Sequence, residues 1–371
     1  MPPIKKQCFA VHAGRKSAFP VVIGILLEFR AFGKRQINSG VKQIMAGKIR
    51  VGVLGPGRIV RRVMKDFHKG QGYELTAIAS RSPERAEAAA REYGAKYAFG
   101  SYEALAASGE VDLVYVAVPH PFHCAASMLM MEHGKHVLCE KPMALNEREA
   151  RLMVDCARKN GVFLMEAMWT RCFPATKELA ALVRAGVIGD VRHIYSVFSS
   201  CSLEDPQSRA FNPALGGGAL LDIGVYPLMA CTLLLGSAPE RVQGACHYAS
   251  TGVDMRMAMQ LIYPGGATAQ LMAGMDAGAP SQLFVYGARG CILMNDFWHP
   301  SSFTLRTADG GSREYAFPVE NEGFFHEFEE AARCISAGLH ESPLVPLDES
   351  ISVARITDGL RRDAGIVYPG E

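Results

Sequence analysis

From residue 49 to about residue 167, short apolar runs rich in β-branched side chains alternate with stretches whose apolar positions recur every three or four residues. The runs 49–54, 75–79, 111–118 and 162–165 read as strands. Segments 123–133 and 147–160 carry helical spacing, and 173–185 reads as a helix stopped by Gly186. This rhythm of strand and helix predicts a parallel, doubly wound sheet of the Rossmann type. After residue 191 the period switches to two. Strand-like runs cover 191–200, 242–248, 256–263, 268–273, 282–286, 291–295 and 303–306, punctuated by turns such as Pro264-Gly265-Gly266 and Asp309-Gly310-Gly311. Helices are expected over 324–336 and 350–362. The second half is therefore predicted to be α+β, built on a large, mostly antiparallel open sheet. Helices cover only one face of such a sheet, so a homodimer through the other face is expected.

Composition adds the boundaries. At 371 residues and 49% hydrophobic content, the chain can bury large cores, and two domains are expected. The first 48 residues hold nine Lys/Arg against Glu28 alone. The overall net charge of +2, less this +8, leaves −6 for the remainder. The expected division is a basic leader at 1–47 outside the fold, a nucleotide-binding domain at 48–169 and a substrate-binding and dimerisation domain at 170–371. The leader's one apolar run, 19–27, contains Pro20 and Gly24 and is too short to span a bilayer. A 20% charged content with little net charge gives no reason to expect nucleic-acid or membrane partners. Ten scattered cysteines without a Cys-x-x-Cys pair fit reduced thiols and a cytoplasmic location.

The first chemical signal is Gly55-Pro56-Gly57 between the first strand and the first helix. Gly55 permits a tight turn, and Gly57 lets the backbone N–H groups of the helix start, Arg58 and Ile59, approach a pyrophosphate. Val60 holds the third position of the fingerprint, usually Gly or Ala. An NAD site calls for Asp or Glu at the end of the second strand. This chain instead has Ser80-Arg81-Ser82-Pro83-Glu84-Arg85. Arg81 and Arg85, about one turn apart, suit a 2′-phosphate, so NADP is favoured over NAD.

The second signal is Cys139-Glu140-Lys141-Pro142-Met143 at the mouth of a strand. A lysine held between a carboxylate and a proline can keep its charge beside a reacting oxygen. The spacing of His120, His123, His133 and His136, with Cys139, imitates a zinc motif. The first pair opens one helix and the second lies around its end, roughly 15–20 Å away, so no metal site is expected.

With these motifs in place, residues 48–370 resemble the glucose–fructose oxidoreductase/inositol dehydrogenase family. The resemblance rests on Ala117-Val118-Pro119-His120-Pro121-Phe122-His123, Cys139 to Met143, Glu166-Ala167-Met168-Trp169-Thr170-Arg171, and Gly216-Gly217-Gly218 running through Asp222 and Tyr226 to Pro227. Together with Asn295-Asp296-Phe297-Trp298, these are most similar to the branch of dimeric dihydrodiol dehydrogenases and NADP-dependent D-xylose dehydrogenases. The resemblance implies hydride transfer between a nicotinamide and a CH–OH carbon. It implies Lys141, Asp222 and Tyr226 as the catalytic group, Pro119, His120 and Glu140 near the cofactor, and His123, Trp169 and Arg171 on the substrate side. Many members carry histidine four residues after the motif aspartate; here that position is Tyr226. A free tyrosine titrates at about 10, and a neighbouring ammonium lowers that value, which makes Lys141 and Tyr226 a coherent acid–base pair. Asp222 could also cap a helix opening nearby. Cys172 departs from the Phe common in that branch, which argues away from an aromatic dihydrodiol.

The expected activity is NADP-dependent oxidation of a secondary alcohol or hemiacetal of a sugar or polyol, with D-xylose at C1 as the type. A trans-dihydrodiol substrate and reduction of a sugar ketone are the alternatives. A non-catalytic NADP-sensing regulator on the same fold is the reading from a different class.

Overall fold

The computed structural model describes residues 47–319 and 321–371. The basic leader, apart from Gly47, lies outside the described residues.

Six strands form the first sheet: β1 (Ile49–Leu54), β2 (Tyr73–Ala79), β3 (Tyr97–Phe99), β4 (Leu113–Val116), β5 (His136–Glu140) and β6 (Leu164–Ala167). All pairings are parallel, in the order β3-β2-β1-β4-β5-β6. Strands β4 and β6 are buried along their whole length. Burial on both faces is why β4 reads as a continuous apolar run, while in β6 the one acid, Glu166, is satisfied by the Met143 amide and the Ser350 hydroxyl. The covering helices are α1 (Arg58–Val63), α2 (Pro83–Tyr93), α3 (Tyr102–Ala107), α4 (His123–Glu132) and α5 (Glu147–Asn160). Their ends are set locally. Ser82 accepts from the Arg85 amide ahead of Pro83 in α2, Asn146 accepts from the Glu149 amide in α5, and Gly94 and Gly161 close these two helices at positive φ.

The strand expected at 162–165 lies two residues later. After Gly161, the Val162 amide turns back to the Ala157 carbonyl and the Phe163 amide is held by His136 Nδ1. Val162 thus belongs to the exit of α5, and pairing with β5 begins where the Phe163 carbonyl accepts the Val137 amide at 2.8 Å.

The chain order reverses between β1 and β4, where ligands of open α/β sheets bind, outside the carboxyl ends of the strands. In register, Leu54 pairs Val116, Val116 pairs Cys139 and Cys139 pairs Glu166. The loops after β1, β4, β5 and β6 therefore emerge side by side.

The second sheet has eight strands: β7 (Val191–Ser199), β8 (Arg241–Tyr248), β9 (Asp254–Ile262), β10 (Thr268–Gly274), β11 (Gln282–Gly287), β12 (Gly290–Asn295), β13 (Ser302–Thr307) and β14 (Ser312–Ala316), in the order β14-β13-β12-β11-β7-β10-β9-β8. Only β7 and β10 pair in parallel. Strand β14 was not expected. It is a mostly exposed, polar edge strand whose sequence Ser-Arg-Glu-Tyr-Ala has no apolar alternation to betray it.

Helix α6 (Pro174–Arg184) leads into this half, and α8 (Phe325–Ser336) and α9 (Leu347–Ala364) follow the sheet. Between β7 and β8 runs a π turn, Leu220–Gly224, continuous with α7 (Val225–Leu235). Residues 225–232 are all buried, as expected of a helix apolar on every side. The segment Pro213–Leu235 has the length and apolarity of a membrane span, but 72% of its window is buried within the fold. That apolar surface is consumed by the core, and the start of this helical run is consequently fixed against the sheet.

Leu138 is fully buried in β5, immediately before the Glu140–Lys141 corner. Leu138→Ala is expected to cost about 2–5 kcal/mol. Chemical denaturation followed by fluorescence would show a lower midpoint with an unchanged slope.

Candidate active site

Lys141 follows the last residue of β5, and its peptide bond to Pro142 is cis. Its Nζ donates to the Asp222 main-chain carbonyl at 2.5 Å and lies 3.1 Å from Asp222 Oδ1. The same Oδ1 receives Arg209 Nη2 at 2.9 Å. One carboxylate oxygen therefore joins two cations, and Lys141 Nζ stands 5.2 Å from the centre of the Tyr226 ring. Asp222 lies inside the π turn and caps nothing through its side chain, which corrects the N-cap reading. Its carboxylate points across to the loop after β5.

Arg209, absent from the sequence expectations, also reaches His120, its Nη1 lying 3.1 Å from Nε2. The other ring nitrogen, Nδ1, lies 2.9 Å from the Gly216 carbonyl. A guanidinium can only donate and a carbonyl can only accept. His120 is therefore the neutral tautomer with its proton on Nδ1. A Cβ on Gly216 would sit 2.9 Å from that of His120, and one on Gly217 would sit 2.7 Å from the Ala210 carbonyl oxygen. The triple glycine is a close-packed seam that brings the loop holding Arg209 against His120.

Charges follow from these contacts. Burial pushes the Asp222 carboxyl up, but Lys141, then Arg209 and His120, pull it well below the usual carboxylate range. Burial works to neutralise Lys141, yet Tyr226, Asp222 and Glu140 together raise it above its ordinary value, so it is an ammonium. His120 is held well below its ordinary value by burial and by Arg209. For Tyr226 burial is the larger influence and raises the phenol above 10, whereas Lys141 and the Trp169 hydrogen bond pull it down. The sign of the lysine's effect is as expected, but its size is not enough to bring the phenol below its ordinary value.

Four of the expected site residues make their contacts within the fold. His123 is fully buried, and both of its ring nitrogens face main-chain carbonyls, Pro142 and Val118, each at 2.8 Å. With the single proton of a neutral ring, it ties α4 either to the Lys141–Pro142 corner or to the loop after β4. Arg171 is buried too, with Nε on the Leu344 carbonyl at 2.7 Å and Nη1 on Glu349 at 2.5 Å. Glu140 accepts from the Tyr115 hydroxyl and from the Lys141 amide, so its carboxylate braces the corner rather than reaching outward. Trp169 is 3% exposed, stacks on Phe324 at 4.0 Å and donates Nε1–H to the Tyr226 oxygen at 3.0 Å. It orients the phenol. The aromatic surroundings of that phenol come instead from Phe198, 5.3 Å from the Tyr226 ring, and from Trp298 stacked on Phe198. Cys172 lies in the core and leaves that surface unchanged.

The dinucleotide loop passes a direct test of fit. Gly55 has φ +86, and a Cβ there would press on Val118 at 3.0 Å and on the Ala117 carbonyl at 3.2 Å. Gly57 begins α1 with no side chain capping the first-turn amides, and a Cβ there would meet only the Gly55 oxygen, at 3.8 Å. A phosphate could approach Arg58 and Ile59 along that open side. Pro119 ends the β4 loop alongside. After β2, Ser80 Oγ receives the Ser82 amide at 3.2 Å, while Arg81 lies over the Phe122 ring at 5.7 Å. Arg81 and Arg85 both act electrostatically on Tyr102, so they flank one region of the surface.

Comparison with known proteins agrees with this arrangement. Residues 49–168 match the model of the GFO/IDH/MocA oxidoreductase family with its NAD-binding Rossmann fold, and residues 176–293 match the GFO/IDH/MocA C-terminal domain. The chain belongs to the GFO/IDH/MocA family of oxidoreductases. It is 36% identical over 307 residues to a trans-1,2-dihydrobenzene-1,2-diol dehydrogenase of Xenopus tropicalis, covering 80% of this chain and 92% of that one. The mouse protein of the same name, from Mus musculus, is 35% identical over 80% of this chain and 90% of its own length. Among solved structures, a 3-ketoreductase from Actinomadura kijaniata in complex with NADP and TDP-benzene superimposes with a TM-score of 0.76 at 30% identity, covering 86% of this chain and 98% of that one. An aldose-aldose oxidoreductase from Caulobacter crescentus, complexed with glycerol, gives 0.79 at 26% identity over the same shares.

Trp169→Phe should keep the aromatic stack and remove the donor to Tyr226. That donor favours phenolate, so its loss raises the tyrosine further. In the pH profile of the oxidative direction, which needs the phenolate, the alkaline limb is expected to move upward, with turnover near neutral pH falling roughly tenfold.

Proposed function

We propose that the protein is an NADP-dependent dehydrogenase/reductase that moves hydride between the nicotinamide and a CH–OH carbon of a sugar or polyol. Tyr226 exchanges the hydroxyl proton, and Lys141 holds positive charge beside the oxygen. The observation that carries this reading is the nearness of Lys141 Nζ to the Tyr226 ring, 5.2 Å from its centre, with Asp222 fixing the ammonium, Arg209 completing Asp222 and Trp169 fixing the phenol. The nicotinamide, when bound, supplies the hydride acceptor or donor. Gly55, Gly57, Arg58 and Ile59 would hold its pyrophosphate, and Ser80, Arg81 and Arg85 a 2′-phosphate. The protein's residues do the rest. Lys141 stabilises negative charge on the substrate oxygen, Tyr226 takes or gives the proton, and the buried His120–Gly216 seam excludes water from beneath.

One observation favours the reducing direction at neutral pH. Burial keeps Tyr226 a phenol, a proton donor as it stands, whereas oxidation needs the phenolate. Reduction of a sugar ketone is therefore the second reading, and a trans-dihydrodiol is the alternative substrate, supported by the names of the relatives. The half-exposed aromatic face of the second sheet, with Tyr195 and Tyr286 each about 40% exposed, is where we expect a second copy of the chain, and the cytoplasm is the expected location.

Tyr226→Phe should abolish turnover on a panel of D-xylose, D-glucose, myo-inositol and a trans-cyclohexadienediol while NADPH binding, read by fluorescence, stays intact. Retained turnover would exclude the proposed acid–base. Because the phenol sits above its ordinary value, oxidation should accelerate with rising pH through the alkaline range, whereas reduction should fall there as Tyr226 ionises. For the cofactor, Arg81→Ala should weaken NADPH roughly tenfold or more, a loss of about 1.4 kcal/mol or more, with little change for NADH. Equal losses would refute the 2′-phosphate assignment.

A further inference from the structure

The helical run that carries Asp222 and Tyr226 begins at Leu220, and its first amides have no partner within the helix. None of its own residues caps it. The cap comes from 34 residues away. Asp254, the first residue of β9 and fully buried, accepts the Leu220 amide on Oδ2 at 2.6 Å. Its other oxygen, Oδ1, has no hydrogen-bond partner and lies against Gly218, where a Cβ would come within 2.1 Å. Gly218 holds φ +114 and accepts the Asp222 amide on its carbonyl at 3.2 Å. The neighbouring Gly217 carbonyl takes the Tyr368 hydroxyl at 2.7 Å. A single carboxylate thus sits where the glycine seam, the second sheet and the start of the site helix meet, two residues ahead of Asp222.

Resting on the reading of Lys141, Asp222 and Tyr226 as the reacting site, we propose that Asp254 is a positioning residue for that reaction, its carboxylate capping the site helix from β9 and fixing Asp222 and Tyr226 in register with Lys141. An ionised acceptor binds amide donors more strongly than a neutral one and also faces the positive end of the helix. The ionised form is therefore the one that holds the register, and protonation loosens it.

Burial raises the Asp254 carboxyl to about 7, against the pull of the Leu220 and Ala219 amides and of Arg361. The groups facing it are Arg361 from α9, Tyr368 beyond α9, and Cys246 and Tyr248 from β8. Asp222, His120 and His123 are held below the neutral range, and Lys141 and Tyr226 are raised above it; the buried carboxyls of Glu140 and Glu327 are raised as well, and the Asp254→Asn variant separates their titration from that of Asp254. Turnover should consequently rise as pH passes through about 7, with a limb that belongs to a residue out of reach of the substrate.

The test is kcat and KM for ketone reduction between pH 5.5 and 8.5, in the full-length wild type, Asp254→Asn and Tyr226→Phe, with NADPH binding measured in parallel. Asp254→Asn keeps an acceptor oxygen but cannot ionise. It is expected to lower kcat roughly tenfold above pH 7, to flatten the limb near 7, and to leave NADPH affinity within about twofold. An Asn variant with wild-type kcat and an unchanged limb, beside an inactive Tyr226→Phe, overturns the role of Asp254 and leaves the site reading standing. An active Tyr226→Phe removes the site reading and this proposal with it. Should the Asn variant fail to fold, the wild type decides: a kcat independent of pH between 6 and 8 overturns the proposal.

Discussion

The pairing of Lys141 with Asp222 is the contact on which the rest of the site depends. It joins the end of a parallel strand to a helix that belongs to the other sheet, across 81 residues of sequence. An unpaired ammonium in that position would lose much of its hydration without compensation. Asp222 supplies both a carboxylate oxygen and a main-chain carbonyl, and Arg209 completes the carboxylate from the other side. Each partner is fixed in turn: Lys141 by the Glu140 and Pro142 corner, Arg209 by His120, and Asp222 by the π turn it lies in. Removing one member would leave another buried and charged, which is why the arrangement behaves as a unit rather than as separable bonds.

The distribution of roles differs from what residue type alone suggests. His123 and Arg171 have the chemistry of substrate contacts, yet both spend their polar atoms on the fold. Trp169 has the look of a pocket wall but serves as a donor to Tyr226. These residues act one layer behind the reacting surface, where rigidity matters more than contact. A phenol held by an indole N–H, with an ammonium 5.2 Å from its ring centre, has little freedom of position.

The parallel sheet was largely legible in the sequence because its information is local. A run apolar on both faces marks β4, and Ser82, Asn146, Gly94 and Gly161 mark helix ends within a few residues. The nearness of Lys141 and Tyr226 was legible because their motifs are short and ordered. Arg209 and Asp254 were not. Each is a single charged residue in an unremarkable setting, and its meaning lies in a partner that only the folded chain brings near: His120 for Arg209, the Leu220 amide for Asp254. The sign of the lysine's influence on Tyr226 could be argued from sequence, whereas the balance against burial could not, since burial is a property of the assembled core.

On the proposed reading, the charge balance of the site also bears on which way hydride moves. Lys141 and Arg209 both face the carboxylate of Asp222, with Glu140 a second acid at the lysine corner. Hydride addition to a ketone builds negative charge on oxygen, and fixed cations stabilise that developing charge more than they stabilise the neutral carbonyl. The same cations favour the phenolate that remains once Tyr226 has given up its proton. Oxidation starts from the other end and needs the phenolate before reaction, in a core whose burial resists forming it. A bound cationic nicotinamide ring would offset part of that resistance by adding positive charge nearby. The direction taken at neutral pH thus depends on the competition between burial and cations at one phenol, and in the protein alone burial prevails.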